Sequence, residues 1–203
     1  MKSKCLSYDI MVVGYYTDDK LYRGQWQNLK KDLDKYGFRY DFECIKSQGT
    51  WQKNTQFMTS FISKKLKQYS GQPLLYLDVD ERIVREPVLF SKPLPCDIAA
   101  RVVNWKNYSK SPRQNTELCS AVVYFLNTFE CKDTVEEWIE ECKRYPNVWD
   151  QRCLRSVIKR RKHIRFYDLP DTYSCIFDLM QECKSPVILS MQASRQVQNK
   201  NHC

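Results

Sequence analysis

Residues 73–84 read PLLYLDVDERIV, and this stretch decides the fold. Four apolar or aromatic residues, Leu74 to Leu77, follow a proline, and they run directly into Asp78 and Asp80. An apolar run of this kind, without alternation, is typical of a strand that is buried on both faces. Such strands lie in the middle of α/β sheets. The stretch therefore predicts a central strand that carries two acidic residues at its carboxyl end.

Asp78 and Asp80 are predicted to bind a divalent metal ion. Strand side chains alternate, so the two carboxylates should point the same way, about 7 Å apart. Their repulsion costs free energy that a hard cation would relieve, and oxygen ligands suit Mg²⁺ or Mn²⁺. Open α/β sheets bind ligands at the carboxyl ends of their strands. We therefore expect a metal that in turn holds a diphosphate, although two acids at this spacing are also common on solvated turns.

Strand and helix patterns alternate along the chain and predict a β-α-β-α-β start with parallel crossovers. The predicted strands cover 8–16, 38–45, 74–77, 97–103, 119–126, 164–169 and 187–189, and the predicted helices cover 21–36, 54–69, 130–144 and 150–159. Asp150 is placed to cap the last helix. We expect a single α/β domain over residues 1–203, with a polar, disordered tail from about residue 194.

The composition is that of a soluble globular protein with a formal net charge of +9. A basic protein suits nucleic acid, anionic membranes or phosphorylated substrates, but no nucleic-acid recognition motif is present. No apolar run approaches the ~18–20 residues of a membrane span, and no export signal is visible. We therefore expect a cytoplasmic protein whose ten cysteines are thiols. The basic run 159–163 favours a solvated helix end, with a phosphate contact, a peripheral membrane contact or a targeting signal as alternatives.

The glycine content disfavours two common classes of nucleotide-binding protein. The chain has only five glycines and contains neither G-x-G-x-x-G nor G-x-x-x-x-G-K-[ST]. Proteins with these motifs cradle phosphate on glycine-rich backbone. Any phosphate bound here must therefore be held by metal and side chains.

Six segments, in this order, resemble nucleotide-diphospho-sugar transferases of the single-domain GT-A fold. They are GYYTDDKLY (14–22), TWQKN (50–54), LLYLDVDERIVREPVLF (74–90), ELCSAVVYFLNT (117–128), WDQRCL (149–154) and QASR (192–195). The chain is similar in length to enzymes of bacteria and of large DNA viruses of algae, the chloroviruses, for which the location would be the host cytoplasm. The resemblance implies a Rossmann-like mixed central sheet flanked by helices. It also implies a metal-dependent glycosyltransferase that moves a sugar from a UDP-sugar to a glycan, a glycoprotein or another hydroxyl acceptor.

The resemblance implies roles for single residues around the donor. Asp78 would meet ribose or metal, and Asp80 the metal. Ser120 would lie beside the donor sugar, and Arg195 would meet the phosphates. The nucleoside pocket would be lined by Tyr16, Thr17, Asp18, Trp51 and Asn54. A core position for Tyr16 and a helix cap at Thr17 or Asp18 are the alternatives.

Asp150 and Gln151 match the family's D-Q, which opens a helix near the anomeric carbon and is similar to retaining relatives. Three positions depart from the family. Ala121 stands in place of a glycine, Met58 in place of a basic residue, and Ser190 in place of a histidine. If that histidine binds metal in relatives, fewer protein groups hold the metal here. The acceptor pocket is expected from the variable loops 104–116 and 170–185.

Two functions of other classes remain as alternatives. A haloacid-dehalogenase-like phosphatase also places D-x-D after an apolar strand, with Asp78 as nucleophile. Arg82 stands where that motif prefers Thr or Val. A non-enzymatic basic module that binds nucleic acid is the second alternative.

Overall fold

The structure, a computed structural model, describes residues 9–193 and Arg195. The first residue of the predicted strand 8–16 and, apart from Arg195, the tail predicted from residue 194 lie outside the described residues.

The described residues form a six-stranded mixed sheet, as the resemblance predicted. Its strands are β1 (Met11–Thr17), β2 (Arg39–Ile45), β3 (Leu74–Leu77), β5 (Ile98–Asn104), β6 (Thr116–Phe125) and β7 (Phe166–Asp168). The order is β2-β1-β3-β6-β5-β7. Strand β1 pairs in parallel with β2 and β3, while β6 is antiparallel to β3 and β5. The first strands are therefore parallel, as predicted, and β6 makes the sheet mixed.

A second, three-stranded sheet lies beside the end of β3. It consists of β4 (Glu81–Ile83), β8 (Cys175–Ile176) and β9 (Ile188–Ser190), in the order β4-β9-β8. Neither β4 nor β8 was predicted. Strands of three and two residues are too short to show a period, and long-range pairing alone defines them.

Strand β3 is buried on both faces, as its apolar run predicts. Leu74 and Tyr76 pack into one core cluster with residues of three helices, and Leu75 and Leu77 pack into a second cluster with residues of a fourth helix. All four side chains are almost fully excluded from solvent. Alternate side chains of one strand thus join both layers of the domain, and each fully buried side chain contributes about 1.5–3 kcal/mol.

The helices flank the sheet on both sides. They are α1 (Lys20–Tyr36), α2 (Trp51–Gln68), α3 (Phe129–Arg144) and α4 (Asp150–Arg160). Helix α1 begins where Asp19 accepts a hydrogen bond from the amide of Tyr22 (3.0 Å) and ends at Gly37, whose φ of 72° suits glycine. The predicted cap of α4 is wrong. Trp149 precedes the helix without a side-chain cap, and Asp150 is the first helical residue.

The predictions for the cysteines and the basic run can be compared with the described residues. The eight cysteines there are free thiols, as predicted, and Cys131, Cys142 and Cys153 are buried in the core. In the basic run, Arg160 pairs with Glu141 on α3 (2.8 Å) at the end of α4. None of the helices within residues 9–193 is both long and apolar enough to cross a membrane.

Candidate active site

Strands β1 and β3 end at the same edge of the sheet, and a cavity of about 560 Å³ opens there. Because the two strands are parallel, the polar residues that follow each strand meet in this cavity. Ten of the predicted site residues line it: Tyr16, Thr17, Trp51, Asn54, Asp78, Asp80, Ser120, Asp150, Gln151 and Arg195. Elements from both halves of the chain thus contribute to one site.

Asp78 and Asp80 both line the cavity, but the strand geometry predicted for them is wrong. Strand β3 ends at Leu77, and the amide of Glu81 donates to the carbonyl of Asp78 (3.1 Å), which closes a turn. The carboxylate of Asp78 accepts a hydrogen bond from the hydroxyl of Tyr76 (2.7 Å). The turn, and not strand alternation, places the two acids in the same cavity.

The electrostatic penalty expected of the acid pair is present. Burial raises the pKa of Asp78 to about 8, and the nearby charge of Asp80 adds to this rise. Burial also raises the pKa of Asp80. The hydroxyl of Tyr22 lies near both acids, and its pKa is raised to about 12 by burial and then by their charges. Tyr22 belongs to the segment 14–22 that carries the resemblance, yet the sequence prediction did not select it for the site.

Asp80 is held in place by the chain that follows β9. Its carboxylate accepts a hydrogen bond from the amide of Ala193 (2.6 Å), and its carbonyl accepts one from the amide of Met191 (3.1 Å). The sequence prediction assigned segment 192–195 to phosphate binding through Arg195. The backbone of this segment also positions one of the two acids.

The donor set at the acid pair fits a hard divalent cation with few protein ligands. Carboxylate oxygens suit Mg²⁺ and Mn²⁺. Within the described part of the chain, no group of three or more His, Cys, Asp or Glu residues could hold a metal. Ser190, in place of the family's histidine, is buried in β9. Asp78 and Asp80 would therefore be the carboxylate ligands, with the remaining positions open to water and phosphate oxygens.

Asp150 is a further acidic residue that lines the cavity. Asp150 is only 4% exposed and lies in the first turn of α4. Burial raises its pKa to about 6, and hydrogen bonds from Ser120 and Thr55 limit this rise. The indole N–H of Trp138 donates to its carbonyl (2.8 Å). The charge of Asp150 also acts on Asp78, so the site presents a further buried carboxylate near the acid pair.

The residues predicted to bind the nucleoside differ in the contacts that their side chains already make within the protein. The ring of Tyr16 stacks on Trp26, with centroids 6.0 Å apart. The ring of Trp51 stands edge-on to Trp149 (5.4 Å), and Trp51 remains 41% exposed. The side-chain oxygen of Asn54 accepts a hydrogen bond from the amide of Gln48 (2.7 Å) and so fixes the turn before α2.

Asp18 does not line the cavity, in contrast to its predicted role. Its carboxylate forms an ion pair with Arg23 on α1. Asp19, one residue later, is the helix cap, whereas the sequence indicated Thr17 or Asp18 for that role. Arg195 does line the cavity, but its guanidinium donates to Asp178 (2.5 Å). A phosphate bound by Arg195 would therefore compete with Asp178 for the guanidinium or share it with Asp178.

One wall of the cavity was not predicted. The indole N–H of Trp105 and the guanidinium of Arg113 both donate to the carboxylate of Glu117, at 3.0 and 2.7 Å. The guanidinium of Arg113 also lies over the ring of Trp105 (4.9 Å). Trp105 and Arg113 belong to the loop 104–116 that was expected to form the acceptor pocket. The sequence indicated the loop but not these residues.

Solved structures of glycosyltransferases share this fold. A glycosyltransferase involved in the glycosylation of the major capsid of PBCV-1 matches with a TM-score of 0.68 and 12% identity, over 96% of this chain and 99% of that chain. The apo form of the glycosyltransferase GlyE of Streptococcus pneumoniae TIGR4 matches with a TM-score of 0.61 and 17% identity, over 91% of this chain and 54% of that chain. The galactosyltransferase LgtC, solved with donor and acceptor sugar analogues, matches with a TM-score of 0.56 and 10% identity, over 95% of each chain.

The sequence itself matches no protein-family profile and no curated protein. At 10–17% identity, the structural matches show similarity of fold alone. The predicted resemblance is confirmed at this level: the chain has the fold of small GT-A glycosyltransferases.

Proposed function

We propose that the protein is a glycosyltransferase that moves a sugar from a UDP-sugar to a hydroxyl group of a glycan acceptor. One observation carries this proposal: two acidic side chains with raised pKa values share a cavity with a third, separately held carboxylate. The fold and its similarity to glycosyltransferase structures support the same reaction class. The fold comparison does not support a phosphatase or a nucleic-acid-binding module.

Asp78 and Asp80 would hold Mn²⁺ or Mg²⁺. The cation would supply Lewis-acid stabilisation of the diphosphate leaving group. The protein contributes the positions of the two carboxylates, through the turn after β3 and the amide of Ala193. With so few protein ligands, metal affinity should depend on the diphosphate.

Asp150 would face the sugar. The oxocarbenium-like transition state carries positive charge, which a nearby carboxylate in a desolvated site stabilises. Ser120 and Thr55 lower the pKa of this carboxyl, so that it is ionised near neutral pH. We propose a retaining reaction, which rests on the D-Q pattern of Asp150 and Gln151.

Calorimetry with UDP and Mn²⁺ tests the metal site. The variant Asp80→Asn keeps the size of the side chain and an acceptor for the amide of Ala193, but it removes the charge. We expect it to lose at least tenfold in affinity for UDP with Mn²⁺, whereas the exposed Asp9→Asn control binds as the wild type does. Equal binding by wild type and Asp80→Asn would remove the metal site.

A panel of UDP-sugars tests the reaction itself. Release of UDP in the presence of Mn²⁺ would identify the donor, and the anomeric configuration of the product by NMR would test retention. Release of inorganic phosphate from a sugar phosphate without UDP release would instead favour the phosphatase.

A further inference from the structure

A second cleft, of about 370 Å³, opens beside the active-site cavity. It lies between the start of β6 and one face of α4. The two spaces share three lining residues, Glu117, Leu118 and Gln151. Gln151 is adjacent to Asp150, so the cleft continues from the end of the cavity where the sugar would lie. Among the described residues, neither acid of the metal pair lines it.

The cleft carries positive charge that its own acidic residue does not balance. Arg152, Arg155 and Lys159 line it from α4, at a spacing that places them on one helix face. Glu117 is the acidic residue among the described residues that line it. Three cations against one carboxylate leave a net charge of +2. Glu117 also forms an ion pair with Arg113 (2.7 Å), which does not line the cleft. Part of the negative charge of Glu117 is therefore neutralised by a residue outside the cleft.

The three cations are also poorly paired within the described part of the chain. Arg152 approaches Glu117 only to 3.9 Å. Arg155 donates to the carbonyl of Thr116, which carries no charge. Lys159 forms no ion pair with any residue of 9–193 or Arg195 and is exposed. The next residue on the same helix, Arg160, is paired with acids of α3. Arg160 is thus neutralised by acids of α3, whereas the three cations of the cleft have only weak charge compensation from Glu117.

The walls of the cleft suit a hydrophilic ligand. Of the nine described residues that line it, Leu118 is the apolar one. Amide, hydroxyl and charged groups make up the rest, contributed by Asn115, Thr116, Gln151 and Ser156 among others. Saccharides bind through such hydrogen-bonding groups, whereas a lipid chain would need an apolar groove.

We propose that this cleft binds the acceptor, and that the acceptor is a glycan with an anionic group, such as a uronate or a sugar phosphate, close to the accepting hydroxyl. The inference rests on the proposed function, since it assigns the second substrate of the same site. The sugar hydroxyls would meet the polar walls, and the anionic group would meet Arg155 and Lys159.

Calorimetry with a matched pair of saccharides tests this proposal. Trigalacturonate and its methyl ester have the same sugars and linkages but differ in charge. Both are titrated at saturating UDP and Mg²⁺, so that the donor site is filled. We expect trigalacturonate to bind the wild type about tenfold more tightly than its ester, and the variant Arg155→Gln/Lys159→Gln to lose about this factor, as expected for two exposed charge contacts.

The control variant Lys31→Gln/Lys35→Gln removes the same charge from α1, on the other side of the sheet, and should bind trigalacturonate as the wild type does. Equal affinity for acid and ester, or equal affinity of the cleft and control variants for trigalacturonate, would overturn the proposal. Inorganic phosphate in a parallel titration separates an isolated anion site from a glycan site: affinity equal to that of trigalacturonate would also overturn it. Affinity for UDP with Mg²⁺, measured first in each variant, reports on the donor site separately.

Discussion

Replacing Asp78 by Asn should stabilise the metal-free protein. The folded state raises the pKa of this carboxyl from its ordinary 3.8 to about 8, through burial and the charge of Asp80. An acid whose pKa is raised on folding favours the unfolded state as pH increases from the lower to the higher value. Stability is therefore lost progressively between pH 3.8 and about 8 and stays low above that.

The size of the effect follows from this window. A difference of about 4 pH units, at about 1.4 kcal/mol per unit, sets a ceiling of about 6 kcal/mol. Asp78 borders a cavity that admits water, and water screens the charge. We therefore expect Asp78→Asn to gain about 2–3 kcal/mol above pH 8. For a domain of this length, this corresponds to an increase of about 4–12 °C in Tm.

Thermal unfolding in EDTA at pH 5 and pH 8.5 measures this gain. The Asn side chain can still accept the hydrogen bond from Tyr76, so the local geometry is kept. The difference in Tm between variant and wild type should widen from pH 5 to pH 8.5. The exposed Asp9→Asn variant should show no such widening. Addition of Mn²⁺ and UDP should raise the Tm of the wild type but not that of Asp78→Asn.

Two results would refute this reasoning. A metal-free Asp78→Asn protein that is no more stable than the wild type at pH 8.5 would mean that the acid pair carries no electrostatic penalty. A gain of the same size at pH 5 and pH 8.5 would mean that the gain has a cause other than ionisation of this carboxyl.

Three further tests address other parts of the structure, two of them with a matched control substitution. Transfer activity should fall as pH drops below about 6, where Asp150 takes up a proton. A kcat–pH profile of Asp150→Asn should lack this acidic decrease in kcat, while any decrease in kcat at alkaline pH should remain. Gly14→Ala should cost about 1–3 kcal/mol in urea unfolding, because its Cβ would lie 2.5 Å from a β3 carbonyl oxygen. Gly24→Ala, in open space on α1, should instead gain about 0.5–1 kcal/mol. Lys65→Met should cost about 2 kcal/mol by the same measurement, because Lys65 is 1% exposed and pairs with two half-buried acids on β2. The exposed Lys64→Met should be nearly neutral.

Local sequence patterns were sufficient for the elements that position the site. The apolar run 74–77 predicted the central strand because four apolar residues in a row, without alternation, are typical of a strand that is buried on both faces. The helical patterns predicted the helix bounds to within a few residues. The parallel pairing of β1 with β3 followed from connection length, and it brings the acids and the end of β1 to one edge.

Local patterns failed where a contact joins distant segments. The strands β4 and β8 and the hydrogen bond from the amide of Ala193 to Asp80 depend on partners that are distant in sequence; the last spans 113 residues. Asp18 differs from these cases, because its ion pair with Arg23 is local, five residues along the chain, and its carboxylate is engaged there and not in the cavity. Short polar segments have no period that a single sequence could show.

By itself, the sequence determined the central strand, the acids that follow it and the order of helices around the sheet, because these depend on periodicity and capping within a few turns of chain. Only the tertiary structure decided which acids share a cavity, which basic residues are neutralised by α3 and which line the cleft beside Glu117 with little charge compensation. Burial and pairing of a charge depend on groups that folding brings together from separate parts of the chain, and these set its pKa and its availability to a substrate.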